Sequence, residues 1–273
     1  MVAIVSEWWL RLLIGLVGSG LMGYAAYRAR SLSQSGMMSA IVMGTSFILF
    51  GEPIWFTLLI VFFISSSFWS KWRKSSKAKQ NAEQLYEKGS QRDAGQVWAN
   101  GGVGLLLCVV YAATELQGLL LAYVGVMAAV TADTWATEIG ALSKRQPRSV
   151  ITLKPVQPGT SGGVTALGLA ASTAGGLLIG ITAYIMDSSL LHAIWIGALT
   201  GLLGSLADSW LGAKWQAMYR CVVCGKETER TSHCKQRTTS IRGAAWLNND
   251  RVNMLSSIIA GLIAFILSIL IMT

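Results

Sequence analysis

The sequence is short of charge. Asp, Glu, Lys and Arg make up 13% of its 273 residues, about half the share found in ordinary soluble domains. A soluble enzyme of this length could not cover its surface with so few charges, so that class is excluded. Histidine is nearly absent, with two residues, which excludes a histidine-rich metal transporter. Cysteine is sparse and unevenly placed. Cys108 lies in an apolar run, while Cys221, Cys224 and Cys234 crowd one polar loop. This is no secreted disulfide framework. The apolar share of 53% in turn excludes a disordered chain.

What the sequence has in excess is long apolar runs, each close to the length a helix needs to cross a bilayer. Eight are present, at residues 8–27, 37–50, 54–69, 97–113, 116–142, 161–186, 190–213 and 253–272. The second is short enough to be tilted or re-entrant. Arg11 interrupts the start of the first and no small-residue cleavage site closes it, so a cleavable signal peptide is not expected. The predicted fold is all-α, a polytopic transmembrane bundle of about eight spans. Residues 1–70 form N-terminal spans without a motif. Residues 71–96 are a basic loop, and residues 97–273 a catalytic core with a Cys-rich loop at 214–252.

Charge is distributed with one sense. All but one of the 22 basic residues, Arg11 being the exception, fall in the connections after spans one, three, five and seven. The other connections carry only Glu52, Glu115 and Asp187. Basic loops stay in the cytoplasm, so both termini are expected outside. The net charge of +9 is then a matter of topology. Membrane lipids, not nucleic acid, are the expected surroundings.

Two helical hairpins echo each other. Span five ends Ala132-Asp133-Thr134-Trp135 and span seven Ala207-Asp208-Ser209-Trp210, while spans four and six begin at Asn100-Gly101-Gly102-Val103 and Ser161-Gly162-Gly163-Val164. A parallel duplication of spans four and five as six and seven accounts for this. So does convergent Gly-rich packing.

Asp133, Glu138 and Asp208 lie inside apolar helices or at their cytoplasmic ends. A charge at bilayer depth costs at least about 2.5–3.5 kcal/mol, so such acids face a polar cavity and act there. Thr134 and Glu138 share a helix face, with Asp133 on its flank. Carboxylate and hydroxyl oxygens suit Mg²⁺. The run Pro158-Gly159-Thr160-Ser161-Gly162-Gly163 is predicted to open span six with bare backbone N–H groups, an arrangement that binds phosphate, with Lys154 close by. Asn248-Asn249-Asp250-Arg251-Val252-Asn253 either caps span eight or completes the same pocket. Separately, Cys221-x-x-Cys224 with His233 and Cys234 offers sulfur and nitrogen ligands for a structural Zn²⁺, or reactive reduced thiols.

Five blocks carry a resemblance. They are Arg92-Asp93-Ala94-Gly95-Gln96-Val97-Trp98-Ala99-Asn100-Gly101, Ala132-Asp133-Thr134-Trp135-Ala136-Thr137-Glu138-Ile139-Gly140, Pro158-Gly159-Thr160-Ser161-Gly162-Gly163-Val164, Gly204-Ser205-Leu206-Ala207-Asp208-Ser209 and Asn248-Asn249-Asp250-Arg251-Val252-Asn253. In content and order they resemble the integral-membrane family that includes the plant and cyanobacterial phytyl-phosphate kinases, domain of unknown function ninety-two. The resemblance implies a phosphotransferase that turns an isoprenyl phosphate lipid into its diphosphate, using a nucleoside triphosphate, CTP or GTP, with Mg²⁺. Asp133, Glu138 and Asp208 would then hold the metal. Gly159 through Gly163 and Lys154 would hold phosphates. Asn100, Asn249 and Asp250 would hold nucleotide or acceptor, with Thr134, Ser209 and Asn253 beside them. A cytidylyltransferase making a CDP-activated lipid, or a transporter, uses similar parts.

Overall fold

The computed structural model describes residues 7–77, 79–80 and 84–272. The described chain holds eight apolar helices: α1 (Trp8–Arg28), α2 (Gln34–Phe50), α3 (Pro53–Lys71), α4 (Ala94–Thr114), α5 (Gly118–Gly140), α6 (Ala166–Met186), α7 (Ala193–Lys214) and α8 (Asn249–Met272). All except α2 are long and apolar enough to cross a membrane. At 17 residues, α2 rises roughly 25 Å, short of a hydrocarbon core of about 30 Å.

Helices α2, α4 and α8 begin earlier than their apolar runs because capped polar turns precede them. Ser33 Oγ accepts the Gly36 N–H at 3.1 Å. Asp93 and Gln96 form a reciprocal capping box, with the Gln96 N–H donating to Asp93 at 2.9 Å and the Asp93 N–H to the Gln96 side chain at 3.2 Å. Asn248 Oδ1 accepts the Arg251 N–H at 3.2 Å.

Residues 118–132 of α5 are buried without interruption, and a helix apolar on every side belongs inside a bundle. Helices α4, α6, α7 and α8 pack round it. The α6–α7 seam is backbone against backbone. A Cβ on Gly176 would collide with the Gly197 carbonyl oxygen, so only glycine lets the helices approach this closely. Helix α3 is locked on by Trp55, whose ring stacks on Tyr123 at 4.5 Å and whose carbonyl accepts the Tyr123 hydroxyl at 2.6 Å.

The four basic connections meet at one end. The Ser33 N–H donates to the Arg92 carbonyl and the Arg92 N–H to that of Ser31, at 2.9 and 3.0 Å. The Glu229 N–H reaches the Leu85 carbonyl at 2.9 Å. What little sheet exists lies in these connections. Strand β1 (Arg148–Ser149) pairs with β2 (Gly163–Val164). The Cys-rich loop folds as β3 (Met218–Arg220), β4 (Glu227–Thr228) and β7 (Thr239–Arg242) in the order β4-β3-β7, beside a hairpin of β5 (Ser232–His233) and β6 (Gln236–Arg237).

Candidate functional site

A cavity of about 570 Å³ opens beneath the basic connections, within the size range of small-ligand sites. Asn100, Asp133, Thr134, Glu138, Gly159, Thr160, Ser161, Gly162, Gly163, Asp208, Ser209, Asn249 and Asn253 all line it. Elements far apart in sequence therefore converge as expected.

Asp133 from α5 and Asp208 from α7 form its acidic floor, close enough for the charge of Asp133 to act on Asp208. The Ser256 hydroxyl from α8 donates to Asp208 at 3.2 Å. Asn253, one turn into α8, has its side-chain oxygen buried without a hydrogen-bond partner among the described residues. An orphaned buried acceptor costs about 1–3 kcal/mol, and beside two acids it calls for a donor or a cation. The donor set is all oxygen, and Mg²⁺ takes such sets.

Glu138 is differently engaged. Its carboxylate receives Lys79 Nζ at 2.7 Å. Lys79 also donates to the Trp69 and Trp72 carbonyls at 2.6 and 2.9 Å. Glu138 thus anchors the α3–α4 connection at the cavity edge. Above it sits Arg92, 7% exposed, donating to Ser67 Oγ at 3.0 Å. Burial lowers the Arg92 guanidinium to about 10, opposed by the charge of Glu138, so it remains a cation at neutral pH.

Three expected roles need correction. The glycine run does not open a helix. Gly159 and Gly162 have φ of 86° and 82°, values that right-handed helix forbids. The run is a turn leading into β2, and α6 begins only at Ala166, capped by Thr165. A Cβ on Gly162 would also collide with Ala213, so this turn lies flat on the end of α7. Ser161 Oγ donates to the Gln216 side chain at 2.8 Å, and Arg242 donates to the Ala213 and Ser161 carbonyls. Lys154 is exposed in the turn after β1 and lines no part of the cavity; Arg145 does. Asp250 does not line it either, being paired with Lys88, which also reaches Asp93 at 2.9 Å. Burial lowers Lys88, but Asp250 and Asp93 outweigh it and the net shift is upward. Lys88 thereby ties the first turns of α4 and α8 together.

Sequence reasoning missed Lys79 and Lys88 as parts of the wall, because charge patterning accounts for any basic loop residue as topology. It also missed Glu229, which lines the cavity from the Cys-rich loop.

That loop forms a second candidate site. Ligand atoms of Cys221, Cys224, His233 and Cys234 lie within 4.8 Å of one another. His233 Nδ1 is 3.5 Å from the Cys224 sulfur and 3.3 Å from that of Cys234. Backbone N–H groups of Cys224 and Val223 aim at Cys221, and together with His233 they hold its thiol down to about 6 against burial. Three sulfurs and one imidazole suit tetrahedral Zn²⁺. Adjacent His233 and Cys234 both face the cluster because Cys234 and Lys235 take φ of 52° and 61°, a tight turn between β5 and β6.

A match to the integral membrane proteins designated DUF92 spans residues 17–261. The chain belongs to that family. Protein PGR of Arabidopsis thaliana is 33% identical over 286 residues, covering 95% of this chain and 96% of that protein. An uncharacterized membrane protein of Methanocaldococcus jannaschii is 27% identical, covering 94% of each chain. One from Synechocystis is 28% identical over 63% of this chain and 68% of its own length. No solved structure matches. The DUF92 match takes in the polar cavity and the thiol cluster alike.

Proposed function

We propose that this DUF92 protein is an isoprenyl phosphate kinase. It transfers the γ-phosphoryl group of a nucleoside triphosphate, CTP or GTP, to a membrane-held isoprenyl monophosphate. The observation that carries the reading is the pairing of Asp133 and Asp208, with the orphaned Asn253 oxygen, in a cavity ringed by Arg92, Lys88 and Arg145. Acids there hold a metal, and cations there hold phosphate. In the transfer, an oxygen of the monophosphate forms a bond to the γ-phosphorus as the bond from that phosphorus to the β-bridging oxygen breaks, releasing the nucleoside diphosphate. The acceptor is already anionic at neutral pH, so no dedicated base is needed. Positioning and charge neutralisation do the work.

Asp133 and Asp208 would hold Mg²⁺, which when bound would neutralise phosphate charge. Arg92 and Arg145 orient anionic oxygens at the rim. The Gly159–Gly163 turn lets phosphate approach backbone, since no side chain intrudes at three of its five positions. Cys221, Cys224, His233 and Cys234 would hold Zn²⁺, whose binding would order the loop that carries Glu229 to the cavity. The basic end faces the cytoplasm and the termini face outside. A cysteine placed at the exposed Gln236 should resist an impermeant thiol reagent in intact cells, while one at the exposed Ser188 should react.

Incubation of the purified protein with isoprenyl monophosphate and γ-labelled CTP or GTP tests the reaction. Label in isoprenyl diphosphate supports it. Pyrophosphate release with a CDP-linked lipid would mark a cytidylyltransferase. Substrate movement without product would mark a transporter.

A further inference from the structure

A second cavity, of about 470 Å³, lies between α1 and α3 and is floored by α2 and α4. Its wall is almost entirely apolar. Small residues of α1, Gly23 and Ala26 among them, face Phe56 and Phe63 of α3. Its edges include Ile64 and Phe68, each 57% exposed on the outer surface of the bundle, so it opens sideways toward hydrocarbon. Arg92 and Asn100 line both this groove and the polar cavity. The two spaces therefore share a wall made of one buried cation and one amide.

We infer that this groove seats the hydrocarbon tail of the acceptor, a linear prenyl chain whose phosphate enters the polar cavity past Arg92. The inference rests on the lipid-phosphate reading above. Arg92 is the decisive residue. Its guanidinium lies against Phe62 and Phe63, with ring centroids 5.7 and 5.6 Å away, and its side-chain hydrogen bond among the described residues goes to Ser67. A guanidinium has five N–H donors in a fixed fork, and that fork suits a phosphate. A cation at the junction of an apolar slot and a polar chamber matches a ligand that is itself apolar at one end and anionic at the other. The groove also gives a role to α1–α3, which bring no acid to the cavity.

Moving a tail from the bilayer into an apolar groove gains little hydrophobic free energy, because lipid is as apolar as leucine. The groove therefore positions the acceptor more than it binds it. Blocking the groove should cost turnover through misplacement of the headgroup.

A geranylgeranyl monophosphate carrying a diazirine at its tail end, used in lipid nanodiscs, tests the seat without requiring turnover. Adducts on groove residues of α1 and α3, suppressed by unlabelled geranylgeranyl monophosphate but not by geranylgeraniol, are expected. Adducts spread over the outer faces of α6 and α8, or groove adducts that the monophosphate fails to suppress, overturn the inference. In turnover, Ala25→Trp puts an indole into the groove from an exposed position. It should lower kcat/KM about 100-fold for geranylgeranyl monophosphate, the scale of a misplaced reacting group, and leave dimethylallyl monophosphate at the parent rate. Ile185→Trp, on the exposed surface of α6, should change neither. An equal loss with both acceptors, or no loss with either, counts against the groove. If the parent protein phosphorylates no acceptor, the transfer reading fails by itself, and the adduct map still decides where the tail sits.

Discussion

Helices α5 and α1 have nearly the same hydropathy, 1.5 and 1.3, yet 78% of the α5 span is buried and only 17% of the α1 span. Hydropathy fixes that a helix enters the membrane, not what it meets there. The difference lies in what packs against each. Glycines of α6 and α7 close on α5, with Gly175 and Gly201 both against Ala132. Around Gly18 and Gly20 of α1 there is open space. An acid on α5 therefore faces protein and a polar chamber, whereas α1 turns most of its surface to lipid. The buried acids lie on the helices whose backbones are closest.

The largest effect should come from the acids. Asp133→Asn keeps the volume and removes the charge. It should reduce turnover by on the order of 100-fold or more, the scale of losing about 3 kcal/mol of transition-state stabilisation. Asp208→Asn should behave alike. The measurement is product formation by protein shown to be folded by its gel-filtration profile. A folded double variant working at the parent rate would break the assignment of chemistry to the buried half.

Packing gives a sharper version of the same comparison. Gly176→Leu forces a side chain into the Gly197 carbonyl and should destabilise by roughly 1–3 kcal/mol or more. Gly20→Leu, in open space on α1, should stay within about 0.5 kcal/mol. Thermal unfolding in one detergent would rank them, and similar midpoints would show that the two seams are alike after all.

Much of this contrast is legible in the sequence, for physical reasons. Apolar runs and one-sided basic loops reveal the bundle. The expense of a carboxylate in hydrocarbon singles out Asp133, Asp208 and Glu138 as inward-facing. Pairing is not legible. Nothing local tells that Glu138 meets Lys79, 59 residues away, or that Asp250 is held by Lys88. The Gly159–Gly163 turn misleads because glycine marks both close approach and positive φ. Here it does both, and the positive φ rules out the helix start. The groove at Arg92 was hidden because its walls are ordinary apolar residues from four helices.

The thiol cluster is a third region, built on loop hydrogen bonds. Purified protein should carry about one zinc per chain, lost in Cys221→Ser together with ordering of the loop, because metal binding there is folding. Metal analysis with proteolysis of the 214–248 connection would follow both. The effect on turnover should be smaller than that of Asp133→Asn, since the loop reaches the cavity through Gln216, Lys226 and Glu229 and supplies neither Asp133 nor Asp208. Metal-free protein whose loop resists protease as well as the parent would remove zinc from the account.

The smallest effect belongs to the one acid of the α6–α7 connection. Asp187 follows the last turn of α6 and is exposed, with its Oδ1 accepting the Ser189 N–H at 2.9 Å. The Ser189 side chain, followed by that N–H, lowers its pKa, opposed by burial. A carboxyl lowered in the folded state contributes stability above its unfolded pKa and loses it as pH falls through the folded value. The contribution of so exposed a group is small, and Asn can accept the same N–H. Asp187→Asn should therefore leave turnover unchanged and only flatten the acid limb of the stability profile. It is the negative control for Asp133→Asn: an acid of the same type, at the opposite end of the bundle, in water. If it matched the loss at Asp133, charge itself and not its place beside α5 would be what the protein needs.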